Sequence, residues 1–193
     1  MRANGSRDGP GMPRPVPAPR STAFRTLVAF ALALAWAVGS AQARDPNERF
    51  FQPFFGDLKA ELDAARTQAK RGIVLVYEME ECPFCARFHA TVLSEADVQD
   101  FYRKHFLVFR VDIKGATPVT GFDGRDLTES AFAAARGVRA TPTSVVYDLA
   151  GAEAARYTGP PRDAREFLLF GQYVLDGAHK AMPFSQYKLA RAR

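Results

Sequence analysis

In Ile73-Val74-Leu75-Val76-Tyr77-Glu78-Met79-Glu80-Glu81-Cys82-Pro83-Phe84-Cys85, an unbroken apolar run leads directly into the chain's only two cysteines. Ile73–Tyr77 is β-branched or otherwise apolar throughout, the pattern of a strand buried on both faces. Pro83 suits the first turn of a helix. Ala86, Phe88, Val92 and Leu93 continue that helix at the right spacing. The two thiols thus sit where a buried strand gives way to a helix. A disulfide between residues this close closes too small a loop to remove much entropy from the unfolded chain, so it is a poor staple. A pair of thiols that opens and closes is suited to redox chemistry.

Position gives the two sulfurs different tasks. Cys82 falls just before the helix, where unpaired N–H groups and the positive end of the helix dipole stabilise a thiolate. Cys85 falls one turn in and is expected to be shielded. Cys82 then attacks a substrate disulfide, and Cys85 resolves the mixed disulfide. Glu80 and Glu81 read as solvated loop charges, screened from the thiols. Glu78 directly follows the buried run and is the candidate proton acceptor for Cys85.

Further out, Asp57 is a cap for a helix over 57–71, with Leu58, Leu62, Ala65 and Ala69 on one face, ended by Gly72. Ser94 is expected to cap a helix from Glu95 to His105. Phe106–Asp112 is a second strand, and Lys114–Leu127, with three Gly and a Pro, a loop or short hairpin. A helix follows from Thr128 to near Gly137. Thr143–Asp148 is a third strand, Glu153–Thr158 its antiparallel return, and Arg162–His179 a final long helix. The order predicts an α/β protein with a central mixed β-sheet flanked by helices on both faces. Residues 44–56 read as an irregular N-terminal segment whose aromatics dock on the core. The domain itself spans 57–180, with a tail or short helix over 181–193.

The N-terminus reads as an address. Residues 1–25 carry five Arg against one acid, and an uncharged apolar run of 14 residues follows from Thr26 to Gly39. Ser40-Ala41-Gln42-Ala43 ends it in the small-x-small manner of a secretory signal peptide, with cleavage near Ala43. The run is shorter than the roughly 20 residues a spanning helix needs. The start lies at Met1 or Met12. Without residues 1–43, the charge of +5 falls to 21 basic against 20 acidic residues, or +1. That balance carries no electrostatic footprint for nucleic acid. Export permits disulfides, and the composition suggests a bacterial periplasm. The 150 residues that remain suit one core, and a monomer is expected.

Arg139-Ala140-Thr141-Pro142-Thr143 precedes the third strand. A proline there removes a ladder donor. By local physics alone its peptide bond is trans. Held cis, it would offer the Thr141 backbone to an extended substrate segment beside the cysteines.

Together Ile73–Tyr77, Cys82-Pro83-Phe84-Cys85 and Gly137–Thr143 resemble the thioredoxin superfamily, over roughly Leu58–Gly177. The acidic lead into the Cys-Pro-Phe-Cys motif, Val108–Gly124 and Pro183–Tyr187 are similar to SoxW-like exported thioredoxins of bacterial sulfur-oxidation clusters. The resemblance implies the thioredoxin fold, Cys82 as nucleophile, Cys85 as resolving thiol and Pro142 as the cis residue beside Thr141. It implies no cofactor, and protein disulfides or dithiols as substrates, sulfur-oxidation proteins among them. It also implies a membrane thiol-electron transporter as donor, and a reductase rather than an oxidase. The chain departs from cytoplasmic thioredoxins at Glu81, where they carry Trp, and at Val76, where they carry a buried Asp.

Two other readings compete. Cys82, Cys85 and His89 share a helical face and are soft ligands of the kind that suit copper or zinc, as in a metallochaperone, although a closed structural zinc site wants four ligands. His89 otherwise reads as a surface or packing histidine. Ala86 after Cys85 rules out covalent haem attachment. The aromatic stripe of the last helix and tail would serve a non-catalytic interaction module as a partner surface, but such spacing is the ordinary mark of core.

Overall fold

Side chains alternate across a strand, and the first strand, β1 (Ile73–Glu78), uses both faces. Val74 and Val76 enter one apolar layer with Phe88, Val92, Tyr102, Phe167 and Phe170. Ile73, Leu75 and Tyr77 enter the other with Leu58, Leu62, Phe109, Phe132 and Tyr147. Every residue of β1 is buried, which accounts for its continuous apolar run. The computed structural model describes residues 44–191. The signal segment assigned to 1–43 lies outside the described residues. Among the described residues no helix is long and apolar enough to cross a membrane.

The central sheet has the order β2-β1-β5-β6. β1 runs parallel to β2 (Leu107–Asp112) and antiparallel to β5 (Thr143–Tyr147), which pairs antiparallel with β6 (Glu153–Thr158). A separate hairpin joins β3 (Pro118–Thr120) to β4 (Asp126–Thr128) within the predicted loop. Seven α-helices complete the described chain: α1 (Pro46–Arg49), α2 (Leu58–Thr67), α3 (Pro83–Phe88), α4 (Ala96–His105), α5 (Glu129–Ala135), α6 (Ala164–Leu175) and α7 (Phe184–Arg191). The result is the expected mixed sheet with helices on both faces.

Three local differences from the sequence reading have simple causes. Residues 44–56 are not irregular throughout, because Asp45 accepts the Asn47 N–H and Pro46 opens α1. Phe50 and Phe51 then fall into the core, whereas Phe55 is 89% exposed. Gln52 covers the outer edge of β2: its N–H donates to Val108 O at 2.9 Å, and its Oε1 accepts the Val108 N–H at 2.6 Å. Ser94 does not cap α4. Its hydroxyl donates back to Ala90 O, and Glu95 takes the N-cap position without a side-chain bond.

The third difference bears on the site. The helix carrying the cysteines does not continue as a regular α-helix but widens into a π turn over His89–Leu93, where the Ser94 N–H reaches back to His89 O. Such turns are uncommon and concentrate at functional sites.

Candidate active site

Parallel pairing with β2 and antiparallel pairing with β5 fix β1 at the middle of the sheet, and its C-terminal end delivers the cysteine loop. Cys82 is the N-cap of α3, in an extended conformation (φ −118°, ψ 100°), and Pro83 opens the helix. The Cys82 Sγ accepts the Cys85 N–H at 3.1 Å. The two sulfurs are joined in a disulfide, with their Cα atoms 5.2 Å apart.

Burial does not rank the two sulfurs. Cys85 is 5% exposed, shielded as expected, but Cys82 is shielded almost equally at 6%. Hydrogen bonding ranks them instead. Besides the Cys85 N–H, Cys82 Sγ receives the Thr141 hydroxyl at 3.3 Å. Among the described residues, no such donor reaches Cys85 Sγ. Donors aimed at a sulfur favour its charged form.

Thr141 is brought there by the loop before β5, whose Thr141–Pro142 bond is cis, as the resemblance implied and local physics alone did not. The loop is pinned on both sides: the Thr143 hydroxyl donates to Ala140 O at 2.8 Å, and Pro142 O accepts the Gly159 N–H at 2.8 Å. Among the described residues no backbone hydrogen bond uses the Thr141 N–H or C=O. Both stay available to an extended segment laid alongside. Between the cysteines, Pro83 is exposed and Phe84 is 60% exposed, an apolar contact surface next to the sulfurs.

The disulfide borders a cleft of about 960 Å3, lined by Cys82, Cys85, Glu78, His89, Arg110 and Glu129 among others. Glu78, only 5% exposed, sits at the end of β1. Its Oε1 meets His89 Nε2 at 2.6 Å. Glu80 and Glu81 are exposed. His89 is therefore not a plain surface or packing residue, although the Phe51 ring does pack against it. The sequence signal was present in the i, i+4 spacing of Cys85 and His89, but nothing local pairs His89 with a residue on another element. The metal alternative is not assembled: among the described residues no group of three or more metal-ligating side chains comes together, and His89 is taken up by Glu78.

A family profile described as a thioredoxin-like domain matches residues 58–175. No curated protein matches the chain. Among solved structures it is similar to a thioredoxin-fold protein from Helicobacter pylori, at 19% identity and a TM-score of 0.54 over 62% of this chain and 83% of that one. It is also similar to a thioredoxin from Thermus thermophilus, at 28% identity and a TM-score of 0.46 over 60% of this chain and 82% of the other.

Proposed function

The chain belongs to the thioredoxin-like family, and from that premise we propose that it is an exported reductase of protein disulfides. It is a thiol–disulfide oxidoreductase, since the family's fold here carries a disulfide at Cys-x-x-Cys spacing. One observation carries the assignment of roles: Cys82 Sγ collects both the helix N–H and the Thr141 hydroxyl. Those donors stabilise a thiolate at Cys82, which makes it the attacking group. Cys85 resolves, and Glu78 accepts its proton. Phe84 and Pro83 supply apolar contact to the substrate, and Thr141 and Pro142 the ledge along which its chain lies.

The cycle balances. Cys82 thiolate attacks one sulfur of a substrate disulfide, forms the mixed disulfide and expels the other sulfur as a thiolate. Cys85 then attacks Cys82 Sγ, the mixed disulfide breaks, and the second substrate sulfur leaves. Two electrons and two protons have passed to the substrate, and Cys82–Cys85 is oxidised. A dithiol donor reverses these steps on the protein.

The periplasm as the place of work, a membrane thiol-electron transporter as donor and sulfur-oxidation proteins among the substrates are supported by the leader sequence and by the SoxW-like features of residues 78–85, 108–124 and 183–187. Equilibration with thiol buffers tests the direction. A potential near that of thioredoxin, about −270 mV, is expected; one near about −120 mV, typical of a strong oxidant, would overturn the reductase reading.

A further inference from the structure

A buried carboxylate is costly unless something compensates it. Among the described residues the one side chain hydrogen-bonded to the Glu78 carboxylate is His89. The other charged groups of the cleft are engaged elsewhere or exposed. Arg110 reaches Asn47 Oδ1 at 3.3 Å and lies over the Phe51 ring. Glu129 Oε1 accepts the Asp112 N–H at 3.1 Å, and Asp112 Oδ1 accepts the Lys114 N–H at 2.9 Å. Arg44 pairs with Asp100 at 2.8 Å. Asp45 caps α1, and Glu80 is exposed. Glu78 and His89 thus form a closed acid–imidazole pair within the wall that also presents both cysteines.

Its placement favours one sulfur. His89 follows Cys85 by four residues, and the helical turn between them sets His89, the C-cap of α3 and first residue of the π turn, on the same side as Cys85. Cys82 already has donors for its thiolate, whereas Cys85 has none among the described residues and must lose a proton before it can attack.

We infer that His89 and Glu78 act as one proton relay for Cys85, extending the role given above to Glu78 alone; the inference rests on that reading of the site. In resolution, the Cys85 thiol passes its proton across the cleft to the pair. Its electron pair forms the bond to Cys82 Sγ, the bond from Cys82 to the substrate sulfur breaks, and that sulfur leaves with the electrons. When a donor dithiol re-reduces the protein, Cys85 is the leaving sulfur and the proton returns to it. The pair can take up this proton without creating an uncompensated buried charge, because the charge is shared between a carboxylate and an imidazole.

The test separates the two sulfur steps. Reduced protein is mixed rapidly with one equivalent of 5,5′-dithiobis(2-nitrobenzoate), and the two nitrothiolate releases are timed. The first reports attack by Cys82 and the second resolution by Cys85. In Glu78→Gln and in His89→Gln the first release should stay within about twofold of native. The second should slow at least tenfold, the full contribution of a general acid–base group being about 10²–10⁴-fold. The double variant should be no slower than the slower single one, as expected for groups acting as a unit. The second release should also lose, in both variants, a pH inflection that the native protein shows. A second release at native speed, both releases slowing together, or an unchanged pH profile would each overturn the relay. If Cys85→Ser abolishes the second release while Glu78→Gln and His89→Gln leave it at native speed, the oxidoreductase reading stands and the relay alone falls.

Discussion

The Thr141 hydroxyl donates to Cys82 Sγ at 3.3 Å, joining two residues 59 positions apart in sequence. In the proposed mechanism the loop before β5 does more than present backbone to a substrate: it tunes the attacking sulfur. A hydrogen bond to a charged group is worth about 1.5–3 kcal/mol, with less expected at sulfur. Thr141→Val keeps the shape and removes the donor. The rate of alkylation of Cys82 by iodoacetamide near neutral pH should fall by about 3–10-fold, and the loss should shrink as pH rises. An unchanged rate would mean that the hydroxyl contributes nothing to the thiolate.

Phe84 is 60% exposed beside two nearly buried sulfurs. In the proposed function this ring is an apolar contact for the protein substrate. Phe84→Ser should raise KM for a protein disulfide such as insulin by roughly 5–20-fold, as about 1–2 kcal/mol of apolar contact is lost. Turnover of a small disulfide should remain within about twofold. Equal losses on both substrates would place the effect in the chemistry instead.

Gly72 turns the chain into β1 at φ +154°, and a Cβ there would stand 2.0 Å from the backbone oxygen of Tyr147. Neither strand can yield without breaking the pairing of Ile73 with Tyr147. Gly72→Ala should cost about 2–4 kcal/mol, lowering Tm by roughly 5–15 °C for a domain of this size. Calorimetry would show it, and a native Tm would contradict the crowding.

Acid should loosen the C-terminal helix. The Tyr187 hydroxyl and the Gln172 amide hold the Asp176 carboxyl below its usual range. Burial pushes Glu166 up, but Lys188 and the Arg162 N–H outweigh it and leave the carboxyl lowered. Tyr187 is itself pushed up to about 12, by burial and then by Asp176. A carboxyl lowered in the folded state stabilises fully above its unfolded value and ceases to do so as pH falls through its folded one. The tyrosine near-ultraviolet circular dichroism of α6 and α7 should therefore hold down to about pH 4.5 and be lost below it. Asp176→Asn should flatten that acid limb, and an identical acid limb in this variant would contradict the assignment.

The frame was legible because its signals are local. The unbroken apolar run of β1, a proline at the helix start and the turn residues of the loops are read from neighbours in sequence. The site was half legible. Spacing identified Cys82 and Cys85, but the cis bond at Thr141–Pro142 runs against the local preference of any single peptide bond. The pairing of His89 with Glu78 needed the strand and the helix to be set against each other first. Val76 and Glu78 share one face of β1, since strand positions two apart point the same way. Glu78 therefore stands one strand repeat beyond Val76 on the same face, where His89 reaches it. The one-turn helix α1 did have a readable signal in Asp45-Pro46, outweighed by the polar and proline-rich composition around it.

In the proposed cycle Cys82 attacks protein disulfides and Cys85 releases them. Reduced Cys85→Ser and reduced Cys82→Ser, each mixed with oxidised insulin and analysed by intact-mass and peptide-mass spectrometry, test it most directly. Cys85→Ser should accumulate a stable covalent adduct mapped to Cys82, and Cys82→Ser should form none on the same timescale. Adducts on Cys85 in Cys82→Ser at a comparable rate, or no adduct in Cys85→Ser, would contradict it.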